Sequence, residues 1–156
     1  MTQYATFRVA ERLLGMDLLT VREILRPLDI TPVPRAAPHI RGLLNLRGQV
    51  VTILDLAVCL GLQPVKLTEK SHIVILKTHQ ELGAAHRNGL EGYKGPTDLV
   101  GLLVDAIEDV AEADDSALEP PPANLNEAEE RLLSGVHRTD AGLLVLLNLQ
   151  DLFSNN

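Results

Sequence analysis

Apolar residues along this chain recur in short alternating runs broken by glycine and proline, a pattern of strands rather than long helices. Tyr4–Val9 alternates as a strand, and Ala10–Arg12 reads as a turn before Leu13–Leu19. Leu18–Leu25 is ambiguous. Val21 and Ile24 share one helical face, yet the β-branched content equally permits a strand, and Pro27 limits any helix. Pro32, Pro34 and Pro38 set an extended connector, because a residue before proline is pushed out of the α region. The double apolar run GLLNLRGQVVTILDL, Gly42–Leu56, predicts a hairpin: Leu43–Leu46, a tight turn at Gly48, then Val50–Leu54. Asp55 is placed to cap a short helix over Leu56–Leu60 that Gly61 ends.

Further strands are predicted at His72–Lys77 and Val100–Val104, with Ala106–Ala111 continuing the latter after a kink. Ser134–His137 and Leu143–Leu147 form a last hairpin, and Asn148 caps a closing helical turn through Leu152. Gly83–Asp98, which holds Gly83, Gly89, Gly92, Gly95 and Pro96, reads as a long exposed loop. Glu119–Asn126, EPPPANLN, reads as a proline-stiffened connector. Many short strands so punctuated point to an all-β barrel architecture rather than βαβ units.

Composition narrows the function. Hydrophobic residues make up 46% of the 156, enough for a core, but aromatics are 3% and Trp is absent. Aliphatic side chains must do the packing, and base-stacking platforms are disfavoured. The net charge of −7 is unevenly spread. Residues 1–50 carry seven Arg against four acids, and residues 99–156 carry two Arg against twelve acids. A chain polarised this way is suited to differently charged partners, and its acidic total argues against nucleic acid. No run approaches the roughly 20 apolar residues of a membrane span, so a cytoplasmic protein without direct membrane insertion is expected.

The search for catalytic chemistry finds no set. Cys59, the one cysteine, sits in the apolar run Leu54–Leu62 and reads as a small buried thiol. His72, His79 and His86 are spaced by seven, but they fall on a strand and a loop, not on one helix. Neither HExxH, GxSxG nor GxxxxGK[ST] occurs. The acids Glu108, Asp109, Glu112, Asp114 and Asp115 lack the alternation and central glycine of a calcium loop, and read as a solvated face. No catalytic residue, metal site or cofactor is therefore expected. A binding module is.

The segments VREI (Val21–Ile24) and TPVPRAAPHIRGLLNLRGQVVTILDL (Thr31–Leu56) resemble the CheW family, most specifically in IRGLLNLRG (Ile40–Gly48). VGLLVDAIEDV (Val100–Val110), LEPPPANL (Leu118–Leu125) and SGVHRTDAGLLVLLNLQDLF (Ser134–Phe153) extend the resemblance, in the family's order, over nearly the whole chain. Thr52 stands where the family usually has Pro, and Ala57 where an Arg is common, which puts one surface charge in doubt. The stretch Gly83–Asp98 is longer than the family's usual connection.

The resemblance implies one CheW-like domain over residues 1–156: two five-stranded SH3-like β-barrel lobes sharing a hydrophobic core, with short helical turns. It implies a non-enzymatic adaptor between the cytoplasmic tip of a methyl-accepting chemoreceptor and the regulatory domain of a CheA-type histidine kinase. Assembly into ring-like arrays at the inner face of the membrane goes with it. The alternatives are a coupler of a pili-motility or second-messenger pathway, or a self-assembling structural protein. The family-like region runs from about Thr6 to Phe153, which leaves no kinase, phosphotransfer or receiver domain in this chain. The residues expected at partner contacts are Val21, Glu23, Ile24, Asn45, Arg47, Gly101 and Val104. Arg47 serves equally as a turn brace or a contact, and Gly42, Gly48, Asp55 and Asp105 are expected to be structural.

Overall fold

In the computed structural model, which describes residues 1–83, 93–140 and 142–153, the N-terminal alternation becomes a hairpin of β1 (Thr2–Val9) and β2 (Arg12–Asp17). Between them Ala10 and Glu11 have φ of 48° and 72°, a turn whose twist matches that of the paired strands. The ambiguous stretch resolves into a 3-10 turn, Leu18–Thr20, capped by Asp17, and a strand, β3 (Val21–Leu25). The central hairpin is β4 (Ile40–Leu46) and β5 (Gln49–Asp55), so β4 starts three residues before its expected Leu43. Asp55 caps α1 (Leu56–Cys59) as expected, through Val58 N–H at 3.2 Å.

β6 (His72–Leu76) is followed by α2 (His79–Leu82), which the apolar pattern did not predict. Next come β7 (Val100–Val104), β8 (Ala106–Ile107) and β9 (Ala111–Ala113). A second unexpected helix, α3 (Glu127–Leu132), leads into β10 (Leu133–Thr139), β11 (Gly142–Leu147) and α4 (Leu149–Phe153). Asn148 accepts from Asp151 N–H at 3.2 Å, the predicted cap. Of the Gly83–Asp98 loop, residues 84–92 lie outside the described residues.

Two sheets result. One is ordered β3-β6-β7-β5-β4, and the other β10-β11-β2-β1-β8, with β9 also on β1 as a sixth strand. The expectation of five strands in each half therefore holds for one sheet and falls one short for the other. Ala106–Ala111 does not continue β7. The chain kinks at Asp105 and leaves for the other sheet, where β8 pairs with β1. Asp105 secures that crossing: its N–H donates to Arg8 C=O at 2.9 Å, and its carboxylate accepts from Ala10 N–H at 2.8 Å.

One core spans both sheets. Phe7 and Leu14 from the six-stranded sheet join Ile53, Ile73, Ile75 and Leu102 from the five-stranded one. Each such side chain contributes about 1.5–3 kcal/mol by leaving water, which is how a chain without Trp is held. The alternation along β2 and β11 sends Leu13, Leu144 and Leu146 to the opposite face, where with Tyr4 and Ala113 they make a smaller cluster.

Candidate partner-binding face

β3 and β4 are the outermost strands of the five-stranded sheet, yet the residues expected on them meet. Beyond β3, Thr31 exchanges two backbone hydrogen bonds with Leu43 of β4, both 2.8 Å. That approach requires Gly42. Its φ is +153°, and a Cβ there would collide with the Thr31 carbonyl. At the β4–β5 turn Arg47 and Gly48 have φ of 51° and 86°, and Asn45 Oδ1 accepts from Gly48 N–H at 3.0 Å. Asn45, one of the residues expected at a partner contact, is exposed and braces this turn.

The turn aims Arg47 back across the sheet, where its Nη2 donates to Glu23 Oε1. Side-chain exposures are 63% for Arg47 and 26% for Glu23, so the pair stabilises folding by well under about 1 kcal/mol. Its effect is to fix where two charges sit. Elsewhere on β3 and β5, Ile24 is 41% and Val50 60% exposed. Val50 was not singled out from the sequence, although its place two residues after a tight turn was a signal.

A register shift between Val21 and Glu23 marks a β-bulge opposite β6. Consecutive strand residues otherwise point to opposite faces, but here Arg22 Nε and Glu23 Oε1 lie 3.8 Å apart. Arg22 also lies 3.6 Å from Glu81 Oε2 on α2. Arg22, Glu81, Gln80, Gln49 and Val50 line a groove of about 760 Å³. Glu81 was missed, though Thr78-x-x-Glu81 is a capping box written in the sequence.

Two expected contact residues lie elsewhere. Gly101 and Val104 are buried on β7; a Cβ on Gly101 would come within 2.5 Å of Ile73 Cγ2, and Val104 is fully enclosed. They hold the sheet together and offer no surface, which corrects the expectation that a partner touches them. Val21 is partly buried and packs against the core. Ala57, where an exposed Arg was expected to be lost, is itself buried.

Asp55 is buried beneath the α1 start. At 1% exposure its carboxylate accepts from Arg41 Nη1 at 2.8 Å, Val65 N–H at 3.0 Å and the α1 cap. The acidic stretch is solvated, and Asp115, itself exposed, accepts from Thr2, Tyr4 and His137. Burial alone would raise the Asp115 carboxyl, but these hydrogen bonds outweigh it and hold it below its ordinary range. Cys59 is partly buried, and burial, then the nearby Asp55 charge, push its thiol up to about 11. Among the described residues no helix is long and apolar enough to cross a membrane.

A family model described as CheW-like domain matches residues 3–156. A probable chemotaxis protein CheW of Rhizobium etli is 28% identical over 148 residues, covering 95% of this chain and 84% of that protein. The chemotaxis protein CheW of Treponema pallidum is 26% identical over 153 residues, 98% of this chain and 82% of the other. Among solved structures, the scaffolding protein TtCheW of Thermoanaerobacter tengcongensis superposes with a TM-score of 0.77 at 26% identity, covering 99% of this chain and 94% of that one.

Proposed function

This chain belongs to the CheW-like domain family, and we propose that it is a non-enzymatic scaffold coupling chemoreceptors to a histidine kinase in chemotaxis. Its partners in this reading are the cytoplasmic tip of a methyl-accepting receptor and the regulatory domain of a CheA-type kinase. It works in the cytoplasm, in arrays at the inner face of the membrane. The observation that carries the reading is the Glu23–Arg47 pair, set by a bulge and a tight turn, with Ile24 and Val50 exposed on β3 and β5. An exposed pair held this carefully contributes little to folding, and a few fixed charges among apolar positions suit a binding hot spot. The chemotaxis names of the relatives and the description of TtCheW as a scaffolding protein agree with it.

Val21, Glu23, Ile24, Asn45 and Arg47 are the proposed contact residues; Gly101 and Val104, buried on β7 two strands from β3, support the sheet that carries them. The test is calorimetric binding of a receptor-tip fragment and of the kinase regulatory domain, with thermal melts alongside. Glu23→Lys should cost about 1–3 kcal/mol of binding to at least one partner while moving stability by about 0.5 kcal/mol or less. Wild-type affinity for both partners would remove Glu23 from the face. Arg47→Ala distinguishes contact from brace: a loss of binding out of proportion to the melt makes it a contact.

A further inference from the structure

We infer that Glu81 on α2 is a positioning residue for this face: it draws Arg22 aside and so leaves the Glu23 carboxylate to Arg47 and to a partner. The inference rests on the coupling-face reading above. Glu23 Oε1 has two guanidinium groups within reach, Arg47 by direct hydrogen bond and Arg22 Nε at 3.8 Å. The bulge makes this rivalry, because it turns two consecutive side chains towards each other. Arg22 Nε is nearer to Glu81 Oε2, at 3.6 Å, than to Glu23.

Glu81 is not free to follow Arg22. Its other oxygen, Oε1, accepts from Thr78 N–H at 3.0 Å and Thr78 Oγ1 at 3.2 Å, closing the capping box of α2. The helix is itself anchored by buried Leu82 and by His79 N–H donating to Pro96 C=O at 2.8 Å. One carboxylate therefore does two separable jobs: Oε1 caps the helix and Oε2 presents a fixed negative charge to Arg22. Without that charge Glu23 is the one carboxylate left within 4 Å of Arg22 among the described residues, and two guanidinium groups compete for one carboxylate oxygen. A helical turn between β6 and β7, outside the motifs on β3 and β4, then sets the charge presented at the face.

The two jobs can be separated because glutamine also serves at this position of a capping box. Glu81→Gln keeps the cap and removes the charge, whereas Thr78→Ala weakens the cap and keeps the charge. In the free protein, the Nε–H resonances of both Arg22 and Arg47 should shift in Glu81→Gln and stay near their wild-type positions in Thr78→Ala. Movement of Arg22 alone would overturn the inference. In binding to the receptor tip and the kinase regulatory domain, Glu81→Gln should weaken affinity about two- to fivefold, the range of a half-exposed ion pair. In an Arg22→Gln background the same change should have no effect, since there is no competitor left to hold. An equal loss in both backgrounds also overturns it. Wild-type binding by Glu81→Gln while Glu23→Lys is impaired defeats this inference alone; wild-type binding by both defeats the coupling-face reading itself.

Discussion

Asp55 shows how one side chain joins sequence logic to tertiary structure. Its role as a helix cap was legible, because an acid precedes Leu56 and a glycine follows the apolar run. Its other two partners, Arg41 and Val65 N–H, come from residues 14 earlier and 10 later, and nothing local announces them. Removing a buried carboxylate strands two amides and takes one of the two bonds of Arg41 Nη1, so Asp55→Ala should cost about 3–5 kcal/mol in urea unfolding. Asp55→Asn keeps an acceptor for the cap and should cost less. Cys59 allows an independent check of burial. A thiol with its pKa near 11 is almost wholly protonated at neutral pH, so alkylation of the native protein should be slow and should climb steadily above pH 8. Fast labelling at pH 7 would mean that the pocket wall formed by His39, Arg131 and Leu152 opens readily.

At the scale of elements, strands with alternating or fully apolar patterns were legible and short helices were not. α2 and α3 span four and six residues, too few for a 3.6-residue period to show. Their capping boxes, Thr78-x-x-Glu81 and Asn126-x-x-Glu129, were the available signal. The bulge at Arg22 had none, since it depends on the register β3 adopts against β6. Nor did the local pattern place Gly101 and Val104 inside: an apolar strand reads the same whether one face or both are covered. Asn126 does more than start α3. Its Oδ1 accepts from Glu129 N–H at 2.7 Å, and its Nδ2 donates to Leu60 C=O at 3.0 Å, fastening the proline connector to the end of α1. Asn126→Ala should therefore lose about 1 kcal/mol for the cap and a further increment for the second bond. Asn126→Asp keeps only the cap, so its difference from the wild type in chemical denaturation isolates the tie to Leu60, and its difference from Asn126→Ala isolates the cap.

For the whole molecule the decisive feature is a core that takes Phe7 and Leu14 from one sheet and Ile53, Ile75 and Leu102 from the other. Neither sheet can lose its inner face without exposing the other's, so the two should unfold together. Asp115 supplies a way to test this from one side only. It ties β1 to β10 in the six-stranded sheet, through Tyr4 and His137, and among the described residues its side chain has no bonded partner in the five-stranded one. Its carboxyl is held below the ordinary value of 3.8, so the folded protein favours the charged form. The stabilisation it gives is complete above that value and is lost as the pH falls through the lower, folded-state pKa. Asp17 acts in the opposite sense: burial raises its carboxyl, so its ionisation opposes folding as the pH rises past 3.8. Comparing Asp115→Asn with the wild type cancels that contribution to first order. The melting temperatures should differ by a constant amount at neutral pH and converge below about pH 3.8. The two tyrosines, Tyr4 and Tyr93, report tertiary order in the near-ultraviolet, while the far-ultraviolet reports strands from both sheets. At each pH both signals should shift together in the variant, because one core serves both sheets. Separation of the two transitions in Asp115→Asn would show that the six-stranded sheet opens on its own, and that the shared core does not bind the halves into one cooperative unit.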